Sequence, residues 1–253
     1  MKALVLKEYN RFVVEEAPVP RIGPDEVLIR VKACGICGSD VHGVDGSTGR
    51  RRPPIIMGHE AAGTIERAGP AVSGWKTGDR VTFDSTIWCG VCRHCRRGEI
   101  NLCDDRRVLG VSCAEYRRDG AFAEFVAVPA RVLYRLPDSL PFEEAALVES
   151  LSIAVHAAAR LPVRLGDTAL VVGAGTIGLL AIQALKARGC TLVAAADVAP
   201  ERLELARRLG ADALGDTRTV GPAAEMRRFT DGRGAGVAVE AVGLPATVRI
   251  AAE

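Results

Sequence analysis

The sequence predicts an α/β chain with a distinct β-rich part: an irregular, barrel-like β domain over residues 1–150, followed by a doubly wound parallel sheet over 151–253. Three observations predict this. Short β-rich runs separated by Gly and Pro turns fill the first part. Apolar strands alternate with helical periodicity in the second. A glycine-rich turn, Gly173-Ala174-Gly175-Thr176-Ile177-Gly178, joins the first of those strands to its helix.

In the first part, Val27 to Val31, Arg80 to Phe83 and Phe122 to Val128 carry the apolar and β-branched residues of strands. Arg50-Arg51-Arg52 and the following Pro53-Pro54 read as an exposed loop, with an anionic clamp for a sugar phosphate as the sharper alternative. In the second part, Ala169 to Val172 reads as a buried strand and Ile177 to Arg188 as a helix. Leu192 to Ala196 gives a second strand and Pro200 to Leu209 a second helix. A polar helix around Ala223 to Phe229 precedes a further strand at Val237 to Ala241. Parallel strands joined by right-handed crossovers are the natural product of that order.

With 253 residues, 48% of them hydrophobic, the chain has enough apolar material for two packed cores. Basic and acidic side chains nearly balance, 33 against 31, so no electrostatic case arises for nucleic acid or a membrane surface. The opening MKALVLKEYNRF returns to charge quickly, and no later segment is apolar for the length a bilayer needs. A cytoplasmic protein is therefore expected.

Four of the eight cysteines, Cys89, Cys92, Cys95 and Cys103, share one stretch, WCGVCRHCRRGEINLC. That spacing lets four thiolates close a tetrahedron around zinc, which leaves no open position and makes the site a staple. Two disulfides or a redox pair are the alternatives, and nothing else here suggests the oxidising compartment they need. Cys34, Cys113 and Cys190 read as buried small hydrophobes.

The glycine turn allows close approach of backbone to a pyrophosphate at a helix N-terminus. Gly173, Gly175, Thr176, Ile177 and Gly178 are the candidate contacts, and Asp197, at the end of the next strand, can accept from ribose hydroxyls and would repel a phosphate there. NAD is favoured over NADP. Simple helix packing for the glycines and an N-cap for Asp197 are the competing roles.

A second metal constellation lies upstream, in Cys37-Gly38-Ser39-Asp40-Val41-His42 and Gly58-His59-Glu60. Thiolate, imidazole and carboxylate from separate segments form the ligand set of a catalytic zinc with an open position. With the segments IMGHEAAG, NLC, AFAEF, VESLSIAVHA and GAGTIG added, the chain resembles the zinc-dependent medium-chain dehydrogenases, and within them the polyol branch of sorbitol, butanediol and galactitol-phosphate dehydrogenases. The matches extend over nearly the whole chain.

The resemblance implies a GroES-like catalytic domain and a Rossmann domain, two zinc ions per chain, one catalytic and one structural, and NAD. It implies Cys37, His59 and Glu60 at the catalytic zinc, with Glu149 where the polyol branch has a glutamate ligand, and Ser39 and His42 as a proton relay from the substrate oxygen. Ser150 departs from the proline usual after that glutamate. Arg202, Val242 and Gly243 complete the cofactor set. The implied reaction is hydride transfer from a polyol or secondary alcohol to NAD, in a cleft between the domains.

The resemblance also implies six sheet strands, so two strand-helix units, on the order of 90 residues, are expected to be missing after Glu253, and with them the edge through which family members form homo-oligomers. Two functions of different class follow: an NAD-dependent alcohol or polyol dehydrogenase whose chain is completed elsewhere, or a truncated, inactive zinc- and nucleotide-binding remnant. Intact motifs favour the first.

Overall fold

A computed structural model describes residues 1–218 and 222–252. Its contacts divide into two compact units, between Glu149 and Ser150.

The first unit contains β1 (Lys2–Glu8), β2 (Arg11–Glu16), β3 (Glu26–Gly35), β4 (Ile55–Ile56), β5 (Glu60–Ala68), β6 (Arg80–Phe83), β7 (Thr86–Ile87), β8 (Arg107–Val108), β9 (Val111–Ser112), β10 (Arg117–Arg118), β11 (Phe125–Pro129) and β12 (Leu133–Arg135). Between them lie α1 (Gly38–Gly43), α2 (Arg93–Arg96) and α3 (Phe142–Ala145). The main sheet is antiparallel, in the order β11-β3-β5-β6-β12. Alternation along β3 and β5 sends Val27, Ile29 and Ile65 inward, where they meet Val81, Phe83, Val126 and Val128. Each such fully buried aliphatic side chain contributes roughly 1.5–3 kcal/mol of transfer free energy. Phe122 to Glu124 fall outside β11; Ala123 makes only an isolated bridge to Ala3.

The second unit contains most of α4 (Val148–Arg160), then β13 (Thr168–Val172), α5 (Thr176–Ala187), β14 (Leu192–Asp197), α6 (Pro200–Arg208), β15 (Ala213–Asp216), α7 (Pro222–Phe229), β16 (Val237–Glu240) and α8 (Pro245–Ala252). Its sheet is parallel, in the order β15-β14-β13-β16. Alternate residues feed opposite faces. Ala169, Val171, Val193 and Ala195 pack with Ile182 and Leu185 of α5, while Leu170, Val172, Ala194 and Ala196 pack with Met226 of α7 and Ile250 of α8. Both faces of the strands are covered by helices, as a parallel sheet requires. The strand β15 had no sequence reading of its own: ALGD is too short and too polar to announce one. Glu253, the final residue of the expected last helix, lies outside the described residues.

The arginine run departs from the exposed loop expected of it. Arg50 and Arg52 are exposed, but Arg51 is 5% exposed. The reason is local pairing: Arg51 bridges to Ser112, Arg52 N–H donates to the Ser112 carbonyl at 2.9 Å, and Ser112 N–H donates to the Arg50 carbonyl at 3.1 Å. Of the leftover cysteines, Cys190 is buried in the second unit's core, Cys34 packs partly buried against the first unit's core, and Cys113 is half-buried rather than core-filling.

Candidate metal centres and dinucleotide loop

Cys89, Cys92, Cys95 and Cys103 converge, with their sulfurs all within 4.8 Å of one another, and none is in a disulfide. Backbone N–H groups point at the sulfurs: Cys89 N–H at Cys103 Sγ (3.2 Å), Cys92 N–H at Cys89 Sγ (3.4 Å) and Cys95 N–H at Cys92 Sγ (3.5 Å). These donors favour thiolate at the sulfurs they reach: the Cys92 thiol is drawn down to about 6, first by the Cys95 N–H, while burial pushes the Cys95 thiol up to about 12. Cys92 also caps α2, so the tight turn of the Cys-x-x-Cys spacing is built into a helix start. Four thiolate donors in a closed set fit a structural zinc. His94 sits in the same lobe but faces Glu99, Nδ1 to Oε2 2.8 Å.

The second group brings Cys37, His59 and Glu60 together, each offering a ligand atom within 4.8 Å of the others. Cys37 precedes α1, His59 follows the turn after β4, and Glu60 opens β5 opposite Gly35 of β3. Gly35 is a spacing requirement: a Cβ there would stand 2.5 Å from Glu60 Oε2. His59 and Glu60 are buried, as is Asp40, whose Oδ1 lies 3.6 Å from His59 Nδ1 and whose Oδ2 accepts from Cys37 N–H at 3.1 Å. Burial alone would lower the His59 pKa, yet Asp40 and the Cys37 side chain outweigh it and hold the ring up at about 10. The Asp40 carboxylate and the Cys37 sulfur around the buried ring favour a cation here, and the thiolate, imidazole and carboxylate donors fit zinc with a position left open. Asp40 Oδ1, His59 Nδ1 and Arg51 Nε are buried without a hydrogen-bond partner, all at this one place.

Glu149 does not join the 4.8 Å group. It is half-buried, accepts from Ser85 Oγ at 3.3 Å, and is coupled electrostatically to His59 and Glu60. Burial, assisted by the Glu60 and Asp84 carboxylates, pushes its pKa up. Ser39 and His42 both lie exposed on α1. Ser150, after Glu149, is buried with an unpartnered hydroxyl.

In the second unit, Gly173 has φ +95° and Gly175 is the N-cap of α5, so the Gly173–Gly178 turn opens directly onto the N–H groups of the helix start. A Cβ on Gly178 would run into the Gly173 carbonyl, which makes this glycine a condition of the turn. Asp197, ending β14, is buried; Oδ2 accepts Ala174 N–H at 2.7 Å and Oδ1 accepts Ala199 N–H at 2.9 Å. The carboxylate is thus tied to the glycine turn, and the N-cap of α6 is Ala199. Arg202 Nη1 stands 3.9 Å from Asp197. The backbone N–H groups of Val242 and Gly243 are both taken by Glu240 Oε1, at 2.8 and 2.9 Å, a partner that sequence reading missed.

Residues 23–138 match the alcohol dehydrogenase GroES-like domain, and residues 176–253 match the zinc-binding dehydrogenase domain. The chain is 40% identical over 254 residues to sorbitol dehydrogenase of Bacillus subtilis strain 168, covering 99% of this chain and 71% of that protein. The chain belongs to the zinc-dependent alcohol dehydrogenase family. To L-threonine 3-dehydrogenase of Symbiobacterium thermophilum it is 39% identical, over 93% of this chain and 66% of the relative. Galactitol-1-phosphate dehydrogenase from Escherichia coli superposes with a TM-score of 0.90 at 32% identity, over 99% of this chain and 71% of that structure. The family, the GroES-like plus Rossmann-like fold, zinc and a nicotinamide nucleotide as cofactors, and an oxidoreductase acting on alcohols all agree with the sequence reading. Among the described residues, no helix is long and apolar enough to cross a membrane.

Proposed function

We propose that this chain carries the zinc and nucleotide sites of an NAD-dependent polyol or vicinal-diol dehydrogenase, with Cys37, His59 and Glu60 holding the catalytic metal, and Cys89, Cys92, Cys95 and Cys103 a structural one. The observation that carries this is the mixed three-ligand group beside an exposed Ser39. When bound, zinc supplies Lewis acidity to an alcohol oxygen and NAD accepts the hydride.

The remaining work belongs to the protein. Asp40 faces the His59 ring, Oδ1 to Nδ1 3.6 Å, and its charge favours the ring orientation that leaves the other nitrogen for the metal. Ser39 accepts the proton of the substrate hydroxyl as it gives up its own outward, and His42, three residues on along α1, is the outer group that releases a proton to solvent. Glu149, which accepts from Ser85 and is electrostatically coupled to His59 and Glu60, is the alternative carboxylate ligand to Glu60. Gly173, Gly175, Thr176, Ile177 and Gly178 cradle the pyrophosphate. Asp197 and Arg202 meet the adenosine ribose, with Asp197 disfavouring a 2′-phosphate; Val242 and Gly243 contact the cofactor through backbone. The cytoplasm suits a chain whose clustered thiols must stay reduced, and a homo-oligomer is the expected assembly.

Polyols are favoured over L-threonine because a hard carboxylate pair beside the metal suits chelation by two adjacent hydroxyls. The test is NADH formation by the zinc-loaded chain on D-sorbitol, 2,3-butanediol, galactitol 1-phosphate and L-threonine, with NAD and NADP. A polyol with NAD should give the highest kcat/KM. No turnover on the panel, with two zinc ions and NAD still bound, would assign the chain to binding alone.

A further inference from the structure

Arg51 is a buried charge whose side chain has few partners. Its Nη2 lies 3.4 Å from Ser39 Oγ and 3.5 Å from Asp40 Oδ1, its Nη1 donates to the Arg50 carbonyl at 3.3 Å, and its Nε has no partner. Space for its stem is made by α1 itself, because a Cβ on Gly43 would stand 2.5 Å from Arg51 Cγ. Its backbone is pinned to Ser112. Burying a guanidinium with only long contacts is poor value for stability, since a buried ion pair often does no better than an apolar replacement. The placement instead suits a role at the site.

A guanidinium only donates hydrogen bonds, so at Ser39 the hydroxyl oxygen must be the acceptor. The Ser39 proton is then directed away from Arg51. The same nitrogen reaches Asp40, the carboxylate that faces His59, so one cation lies against both the relay hydroxyl and the carboxylate behind the metal-ligating ring. We propose that Arg51 is a positioning residue of the catalytic centre: from beneath α1 it fixes the rotamer of Ser39 and the carboxylate plane of Asp40, and so sets where the relay hydroxyl and the His59 ring point. This rests on the reading of Cys37, His59 and Glu60 as the catalytic metal site. Of the three arginines, Arg51 faces inward to Ser39 and Asp40, while Arg50 and Arg52 are exposed.

The test compares the 253-residue parent chain with Arg51→Met, Arg51→Lys and Gly43→Ala, each loaded with zinc and, separately, with cobalt. Gly43→Ala keeps the charge and displaces the stem, so it serves if Arg51→Met folds poorly. With D-sorbitol and NAD, kcat should fall about 100-fold in Arg51→Met, the loss expected of a displacement near 1 Å, while KM stays within about threefold. Arg51→Lys should restore part of kcat, and Gly43→Ala should reproduce the loss more weakly. In a Ser39→Ala background, the Arg51→Met loss should shrink to about threefold or less, as for residues acting as one unit. The visible bands of cobalt at the mixed-ligand site should shift in Arg51→Met and return toward the parent in Arg51→Lys, whether or not the parent turns over D-sorbitol. Unaltered kcat and cobalt bands in folded Arg51→Met or Gly43→Ala would overturn the proposal alone. So would a kcat loss of equal size with and without Ser39. A parent chain that takes up no cobalt at the mixed-ligand site would remove the underlying reading and the proposal together.

Discussion

The two candidate metal groups of this chain sit in the same unit and are built on opposite plans. The four-cysteine lobe is local in sequence, all sulfur, and surrounded by backbone N–H donors that hold its thiolates. The Cys37–His59–Glu60 group is assembled from two distant segments, mixes sulfur, nitrogen and oxygen, and is backed by Asp40 and Arg51, each with a buried polar atom left without a hydrogen-bond partner. A closed, self-satisfied shell favours permanence. An open shell with unspent polar atoms favours exchange of ligands and protons, which is what an alcohol-oxidising centre needs.

If that contrast is right, disruption of each group should have a different signature. The largest effect belongs to the open group. Cys37→Ala or His59→Ala should cost several kcal/mol in the barrier, a turnover loss of about a thousandfold or more, while the melting temperature moves little. Steady-state NADH formation and circular dichroism on the same samples check this. Cys103→Ser should do the reverse, since a structural zinc contributes folding free energy directly. Its melting temperature should drop markedly with loss of one zinc, and turnover per remaining zinc should survive well below that temperature.

A smaller effect separates the groups by geometry. Gly35→Ala should push Glu60 aside and weaken metal retention at the open group without touching the four-cysteine lobe, as read by competition with a chelator. The smallest effect is the Glu149 carboxylate, whose pKa is pushed up by burial, so that folding of the metal-free chain favours its protonated form relative to the unfolded chain. That preference is fully available below the ordinary carboxylate pKa, and is lost as pH rises through the raised folded value. Metal-free Glu149→Gln should therefore gain on the metal-free parent as pH rises from about 4 to neutrality, an effect reduced by solvent screening. Zinc should cancel the gain. Urea midpoints at pH 5 and 8, with and without zinc, would show it.

Much of this contrast was legible in the sequence, and the physical reason is range. The four-cysteine spacing, the Cys37–His42 segment and the Gly173–Gly178 turn are local patterns whose geometry follows from a few consecutive residues. So were most strands and helices of the second unit, where unbroken apolar runs mark strands covered on both faces. What sequence did not reveal was pairing at a distance. Arg51 looked like solvated loop because three arginines precede two prolines, yet its backbone pairs with Ser112 some sixty positions away and its side chain turns under α1. Ser85 beside Glu149 and Glu240 beneath Val242 and Gly243 were missed because an isolated polar residue carries no periodic signal. The strand β15 was missed because four residues are too few for period-two alternation to stand out.

The most direct test of the central claim is zinc X-ray absorption on the parent chain and on Cys37→Ala, with metal content measured on the same material. The parent should hold two zinc ions, and Cys37→Ala should retain one whose shell is sulfur alone, so that the difference isolates a second zinc bound mainly through nitrogen and oxygen. A parent chain with a single all-sulfur zinc, or a second zinc unaffected by the loss of Cys37, would contradict the account.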